Sequence, residues 1–366
     1  MITVFQSSLN ALGGSTRFTL DLIHMLKDKQ IPTATLTISP TNWKKLEYYL
    51  TPPVDRPDKE IYIIPQNIPL FTIYQRLLLR YLIKSHKFEN NILVNSCGTF
   101  QPMFKEDIIY THGVESKKLS KSTYSTKLRQ VYAIPYMLLT EKKMKRISEK
   151  TQIIANSKYT SSQLKQIEGI DADAIIYPPV ASHIYSPLSR HEKTDNVILI
   201  ARLAHIKKMD FVIKIAKKRP ETKFTVVCLV SKGYMPLLRE LLDNCKDLKN
   251  VEFHYNINYM KRLSLLATSK IVLNMGVETF GIALAEAISA GCIPIIYPEG
   301  GALEVVEGIE HHKATNVFEA SEAITDALSH WTPEKSHAVA EMMHKRFGYE
   351  KFIREFMSIV EKIQKQ

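Results

Sequence analysis

The chain has 366 residues, of which 45% are apolar and 23% are charged, a balance that excludes a disordered protein and favours two domains with separate cores. The formal net charge is +12, and residues 1–187 carry most of it, with 24 Lys and Arg against 15 Asp and Glu. This basic front half predicts an acidic partner, such as a phosphate group, a nucleic acid or an anionic membrane surface.

The cysteines indicate the cellular compartment, and the lengths of the apolar runs indicate whether a membrane span is present. Cys97, Cys228, Cys245 and Cys292 lack metal-ligand spacing, so we expect reduced, buried thiols in a cytoplasmic protein. No run of about 18 apolar residues occurs, so no transmembrane helix is predicted. The run 2–6 is typical of a strand rather than of a signal peptide.

The front half alternates β-rich runs with helical patterns. The run 2–6 is followed by a Gly-Gly turn, by a helical stripe of apolar residues in 17–27 and by a second β-rich run at 34–38. This order is typical of the opening of a parallel, doubly wound sheet. Further buried strands are predicted at 61–64, 92–95, 108–110 and 152–155.

The alternation of predicted strands and helices begins again after a polar, proline-containing stretch, 181–196, which is predicted to be an interdomain linker. The predicted strands of the back half are 197–200, 223–229, 251–254, 271–274 and 292–297, and the predicted helices are 209–218, 235–243, 260–268 and 281–290. A helical tail, 334–366, is interrupted near residue 347. The predicted fold class is α/β, with two doubly wound, Rossmann-like domains and a ligand cleft between them.

Two glutamates bracket the start of a predicted helix in the back half. Glu278 lies in the loop after a strand, Phe280, Gly281 and Ile282 begin the helix, and Glu286 lies further along it. A helix start exposes unpaired N–H groups and the positive end of the dipole, so it suits a diphosphate. The flanking carboxylates would accept hydrogen bonds from sugar hydroxyls. Ordinary solvated or capping glutamates are the alternative.

Further candidates follow other predicted strands. Arg202 and Lys207 would neutralise a diphosphate leaving group, Arg202 through bidentate hydrogen bonds. Gly14 lies in the first β–α turn, where backbone amides can approach phosphate, and His112 ends a strand, where it would hydrogen-bond a sugar or an acceptor hydroxyl. The alternatives are that Arg202 and Lys207 are surface cations, that Gly14 belongs to an ordinary tight turn and that His112 is a structural histidine. The incomplete G-x-G-x-x-G pattern disfavours a nicotinamide cofactor.

Taken together, these residues resemble glycosyltransferase family 4, a retaining family with the GT-B fold, over nearly the whole chain. Glu278 and Glu286 match the E-x7-E signature of the family, and Arg202 and Lys207 match its phosphate-binding Arg and Lys. Segments 156–160, 177–180, 290–294 and 300–301 are similar to further family segments. The order of segments is similar to that of eukaryotic lipid-linked oligosaccharide mannosyltransferases and their prokaryotic relatives.

The resemblance implies a hexosyltransferase, with mannose as the suggested hexose, that uses a GDP-sugar or a UDP-sugar and no obligatory metal or other cofactor. It implies residues 1–187, completed by about 347–366, as the acceptor domain and residues 188–346 as the donor domain. The implied roles are Arg202 and Lys207 on the diphosphate, Glu286 on the ribose, Glu278 on the donor sugar beside the amides of Phe280, Gly281 and Ile282, Gly14 near the phosphate or acceptor, and His112 by the reacting sugar.

The sequence departs from the family at two points. Lys208 stands where the family usually has Gly, and Ser15-Thr16 replaces the more common Ala-Glu before Arg17. The second departure weakens an acceptor role for the first turn.

The acceptor is suggested by two basic, apolar segments of the first domain, 70–84 and 117–146. The second holds nine Lys and Arg and one acid. Such segments favour a cytoplasmic protein that docks peripherally on the anionic cytoplasmic face of a membrane and takes a lipid-linked or glycan acceptor. Ordinary core helices with solvated lysines are the alternative.

Three other functions are compatible with the sequence in part. A sugar-nucleotide epimerase would use the same scaffold. A nucleic-acid-binding protein is suggested by the charge but disfavoured because no recognition motif is present and the back half is only weakly basic. A catalytically inactive scaffold is disfavoured because all the phosphate-site residues are present.

Overall fold

The computed structural model describes residues 1–65, 91–100, 102, 106–114, 134 and 147–365. With the exception of residue 134, the basic segments 70–84 and 117–146 lie outside the described residues. The chain divides into two units, of which unit 1 contains Met1–Glu47, Pro52–Tyr177 and Phe352–Gln366, and unit 2 contains Tyr48–Thr51 and Pro178–Lys351.

Unit 1 is built on a sheet whose described strands all pair in parallel. They are β1 (Ile2–Phe5), β2 (Thr33–Thr37), β3 (Lys59–Tyr62), β4 (Ile92–Asn95), β5 (Ile108–Thr111), β6 (Gln152–Ala155) and β7 (Ala174–Ile175), in the spatial order β3-β2-β1-β4-β5-β6-β7. The direction of the strand order changes between β1 and β4, so the sheet is doubly wound. The edge strand β3 begins at Lys59, before the predicted range 61–64. The sequence pattern does not indicate this start because Lys59 and Glu60 are exposed and break the apolar run.

The described helices of unit 1 begin and end where local sequence dictates. They are α1 (Gly14–Asp28), α2 (Trp43–Tyr49) and α3 (Lys158–Glu168). The predicted apolar stripe of α1 is buried throughout. Helix α3 is capped by Ser157, whose hydroxyl accepts a hydrogen bond from the Thr160 N–H, and Gly169 ends it in the left-handed conformation.

Unit 2 contains a second parallel sheet. Its strands are β8 (Thr194–Arg202), β9 (Lys223–Leu229), β10 (Val251–Tyr255), β11 (Ser269–Asn274), β12 (Ile293–Ile296) and β13 (His312–Lys313), in the spatial order β10-β9-β8-β11-β12-β13. Its helices are α4 (Ser182–Tyr185), α5 (Met209–Lys218), α6 (Met235–Cys245), α7 (Tyr259–Ala267), α8 (Ile282–Ser289), α9 (Ala302–Val305), α10 (Val317–Ser329) and α11 (Pro333–Phe347). The strands and helices predicted between 197 and 297 are confirmed, with bounds that agree to within two residues except at the start of β8, which begins three residues earlier.

The stretch 181–196, predicted to be an interdomain linker, contains regular secondary structure. It forms α4, the 3-10 helix Ser186–Arg190 and the start of β8. The Ser182 hydroxyl lies 2.7 Å from Nδ1 of His344 in α11, and Tyr185 is fully buried. This packing holds the stretch in unit 2, and the division between units follows Tyr177, ten residues before the expected boundary.

The tail is helical and interrupted where predicted. Helix α11 ends at Phe347, and α12 (Tyr349–Gln364) follows after Gly348, where a Cβ atom would lie 2.5 Å from the His344 carbonyl oxygen. Phe352 of α12 packs edge-on against Phe18 in the core of unit 1, with ring centroids 5.5 Å apart. All four cysteines are buried and none forms a disulfide, as expected.

Candidate functional site

The candidate site lies where the strand order of unit 2 changes direction, between β8 and β11. Ligands of open parallel sheets bind outside the carboxyl ends of the strands at this position. Here β8 ends at Arg202 and is followed by the 3-10 helix His205–Lys207, while β11 ends at Asn274 and leads to Glu278. A small pocket is lined by residues of both strands, by Lys207 and Glu278, and by Leu284 of α8.

Two of the predicted site residues contact each other directly in this pocket. Nζ of Lys207 lies 2.5 Å from Oε1 of Glu278, and the two side chains are 16% and 20% exposed. The sequence assigned them to different parts of a ligand, the diphosphate and the sugar. The structure shows that one ligand group at this point would face both charges.

A glycine keeps the two loops in contact. A Cβ atom on Gly276 would lie 2.8 Å from the Ile206 carbonyl oxygen and 3.1 Å from Cα of Lys207. Real Cβ atoms essentially never show the first of these distances, so a larger residue would require the Lys207 loop to shift. The Gly276 N–H also donates to Oδ1 of Asn274, which fixes the turn after β11.

Two further glycines hold the backbone of Glu278. Gly300 has a φ of +91°, and a Cβ atom there would lie 2.5 Å from the Glu278 carbonyl oxygen. The Gly301 N–H donates to that same oxygen at 2.7 Å. A Cβ atom on Gly301 would overlap the carbonyl oxygen of Thr279. The Gly-Gly pair after a strand was the only sequence signal of this positioning role.

The start of α8 provides backbone donors next to the ion pair. Gly281, with a φ of +105°, is the residue before the helix and, as a glycine, provides no side-chain cap to its N–H groups. Phe280 is buried and packs edge-on against Phe347, so only its backbone faces the loop. Ile282 and Glu286 are half-buried on α8. The arrangement suits an anion at the helix start with Glu286 one turn further along.

Arg202 and Lys208 add two cations at the end of β8. Arg202 is exposed, and its guanidinium forms no hydrogen bond or ion pair with any residue in the described part of the chain. Lys208 has a φ of +48°, in the left-handed region that favours Gly. Its ammonium lies 4.1 Å from the centroid of the Tyr297 ring, a cation–π contact that offsets part of the backbone cost.

The other predicted residues lie in unit 1. Gly14 begins α1, and His112 follows β5, where Phe18 of α1 packs edge-on against the imidazole with centroids 4.9 Å apart. His112 is 9% exposed, and its Nε2 has no hydrogen-bond partner among the described residues. Loss of hydration lowers the pKa of His112 to about 3, so the imidazole is neutral near neutral pH.

A polar network lies at the β1–β4 switch point, and it was not predicted from the sequence. Nε2 of Gln6 donates to the Ser15 hydroxyl, the Ser96 hydroxyl donates to Oε1 of Gln6, and the Thr19 and Ser96 hydroxyls lie 2.8 Å apart. Its only local signal was small polar residues after two strands. The nearby Arg17 is buried and paired with Asp21 within the unit.

Known proteins resemble the chain in sequence at low identity. Residues 185–346 match the family model described as Glycosyl transferases group 1. Two relatives are named GDP-Man:Man(3)GlcNAc(2)-PP-Dol alpha-1,2-mannosyltransferase. The Neurospora crassa protein is 24% identical over 57% of this chain and 45% of its own length, and the Yarrowia lipolytica protein is 24% identical over 55% and 34%. The chain thus spans less than half the length of these curated relatives.

Solved structures resemble the chain over its whole length. A glycosyltransferase from Rickettsia africae has a TM-score of 0.70 at 16% identity, covering 100% of this chain and 99% of its own. Anabaena HepE in complex with UDP-glucose has the same TM-score and identity, with 100% of both chains covered. The fold is therefore that of the GT-B glycosyltransferases. Among the described helices, none has the length and apolar character needed to cross a membrane.

Proposed function

We propose that the protein is a glycosyltransferase that binds a nucleotide-diphosphate sugar at the carboxyl ends of β8 and β11 and transfers its hexose to an acceptor. The observation that carries the proposal is the contact between Lys207 and Glu278 at the switch point of unit 2, beside the start of α8. A cation and a carboxylate within one small pocket, next to the N-terminal end of a helix, match the parts of a nucleotide sugar.

The diphosphate would be bound by Arg202, Lys207 and the first N–H groups of α8. Arg202 offers a bidentate guanidinium without a competing partner among the described residues, and Lys207 offers a point charge. Glu286 would accept hydrogen bonds from the ribose hydroxyls, and Glu278 from the donor sugar. The backbone amides of Phe280, Gly281 and Ile282 would contact the donor next to Glu278.

In the reaction, the bond between the anomeric carbon and the phosphate oxygen breaks, and its electron pair goes to the diphosphate. An acceptor hydroxyl oxygen bonds to the anomeric carbon, and its proton passes to the leaving diphosphate. Arg202 and Lys207 would stabilise the charge that develops on the diphosphate. We propose retention of configuration at the anomeric carbon, as in family 4, with no metal required.

Unit 1 would hold the acceptor. Gly14, at the start of α1, would lie near the phosphate or acceptor, and His112 would offer a neutral imidazole to the reacting sugar or the acceptor hydroxyl. The names of the fungal relatives support GDP-mannose as donor and a lipid-linked glycan as acceptor, whereas the UDP-glucose bound to HepE supports a UDP-sugar. For a lipid-linked acceptor, the proposal includes peripheral docking on the cytoplasmic face of a membrane.

The test is a transfer assay with radiolabelled GDP-mannose and UDP-glucose, with and without a lipid extract. We expect label from one donor to enter the organic phase only when lipid is present, and Glu286→Ala to lose most of this transfer while staying folded. Consumption of a donor without any acceptor would favour the epimerase. If neither donor is consumed, with or without the lipid extract, the proposal is refuted. Flotation with liposomes, with and without anionic lipid, tests the docking separately.

A further inference from the structure

The ion pair in the pocket sets two ligand-binding groups against each other. Nζ of Lys207 and Oε1 of Glu278 are 2.5 Å apart, within the distance of a strong charge-assisted hydrogen bond. A diphosphate on Lys207 would therefore bring its own negative charge close to the Glu278 carboxylate. Unless that carboxylate finds another partner, it competes with the diphosphate for the same ammonium.

The two loops lie close together in the structure. Gly276 lies against the backbone of the Lys207 loop, and the Gly301 N–H donates to the Glu278 carbonyl oxygen. This backbone arrangement places the ammonium and the carboxylate within reach of each other, so a ligand at this point meets both side chains. Because both side chains are at most one-fifth exposed, solvent screens their charges weakly.

A nucleotide sugar and the nucleotide left after transfer differ in what they offer Glu278. The hexose of the donor carries hydroxyls that can take the place of Lys207 as hydrogen-bond donors to the carboxylate. After transfer the hexose is gone, and the diphosphate gains a negative charge once the proton taken from the acceptor is released to solvent. Among the residues that the structure describes, the carboxylate is then left with the lysine that holds the product.

We propose that Glu278 competes with the product diphosphate for Lys207 and so weakens binding of the nucleoside diphosphate relative to the nucleotide sugar. This inference rests on the proposed function. It gives Glu278 a second role, in the release of product.

The test compares wild type with Glu278→Gln by isothermal titration calorimetry, using GDP and UDP as product probes and GDP-mannose and UDP-glucose as donors. We expect the variant to bind the sugar-free nucleotide about tenfold more tightly, which corresponds to about 1.4 kcal/mol, and to bind the nucleotide sugar no more tightly than wild type. Thermal unfolding checks that the variant is folded, and Glu278→Ser, which also removes the carboxylate, serves as a second variant.

Asp195→Asn is the matched control. Asp195 pairs with Lys270 at 2.6 Å at the start of β8, the opposite end of the strand from Arg202, so this variant makes the same change in net charge away from the pocket. We expect it to bind every nucleotide as wild type does.

The outcomes separate the inference from the proposed function. Equal or weaker binding of the sugar-free nucleotide by Glu278→Gln would overturn the inference, and so would equal tightening in Asp195→Asn. In either case, binding of a nucleotide sugar by wild type would leave the proposed function standing. If wild type binds none of the four nucleotides, both are refuted.

Discussion

Lowering the pH from about 7 to about 5 is expected to destabilise unit 1 through one buried imidazole. His112 is 9% exposed, packs against the rings of Phe18 and Tyr110, and has its pKa lowered to about 3 by loss of hydration. In an unfolded chain the pKa of a histidine is about 6.5. Between these two values the unfolded state binds a proton that the native state does not, so the free energy of unfolding falls as the pH falls.

The magnitude follows from the unfolded state, because native His112 stays neutral over this interval. Protonation of the unfolded histidine favours unfolding about 25-fold more at about pH 5 than at about pH 7, which corresponds to about 2 kcal/mol. The loss begins below about pH 6.5 and continues towards the native pKa near 3.

The assay is urea unfolding at both pH values, for the parent and for His112→Gln. The two tryptophans of the chain, Trp43 and Trp331, lie in different units, so a Trp331→Phe background leaves Trp43 as a fluorescent reporter of unit 1. Other titrating groups contribute equally to both proteins, and the difference between their pH effects isolates His112. A difference near zero would mean that native His112 titrates normally, and would refute its burial as a neutral group.

Two further predictions concern the donor site. Gly300→Ala is expected to lower the free energy of unfolding by about 2 kcal/mol and to weaken nucleotide binding, because the new Cβ atom would meet the Glu278 carbonyl oxygen. Gly169→Ala is the control, since Gly169 has a φ of +71° but open space around it. In urea unfolding it should lower the free energy of unfolding by about 1 kcal/mol, and it should leave nucleotide binding unchanged. Arg202→Ala should weaken nucleotide-sugar binding about tenfold by calorimetry at an unchanged melting temperature, and unchanged affinity would exclude it from the site.

The elements that carry the site were predictable from local patterns. Apolar runs place Arg202 and Lys207 after one strand and Glu278 after another, and parallel strands put such loops on the same edge of a sheet. That β8 and β11 are neighbours is a property of strand order, which local periodicity does not contain. The ion pair between Lys207 and Glu278 could not be predicted for the same reason.

Other features depended on tertiary contacts too. The stretch 181–196 is polar and contains proline, yet its short helices bury Tyr185, and segments this short show no periodicity to detect. The role of Gly300 rests on its backbone angle and on a contact with a loop more than twenty residues earlier. The neutral state of His112 rests on packing by Phe18, which is distant in the sequence.

The most direct test of the donor site is calorimetric titration of wild type and Lys207→Met with GDP-mannose and UDP-glucose. The ammonium of Lys207 contacts the Glu278 carboxylate, and in the proposed function it also binds the diphosphate. We predict that wild type binds one of the two donors and that Lys207→Met binds it at least tenfold more weakly. A thermal unfolding measurement checks that the variant is folded. Binding of neither donor by wild type, or equal binding by the variant, would contradict the account.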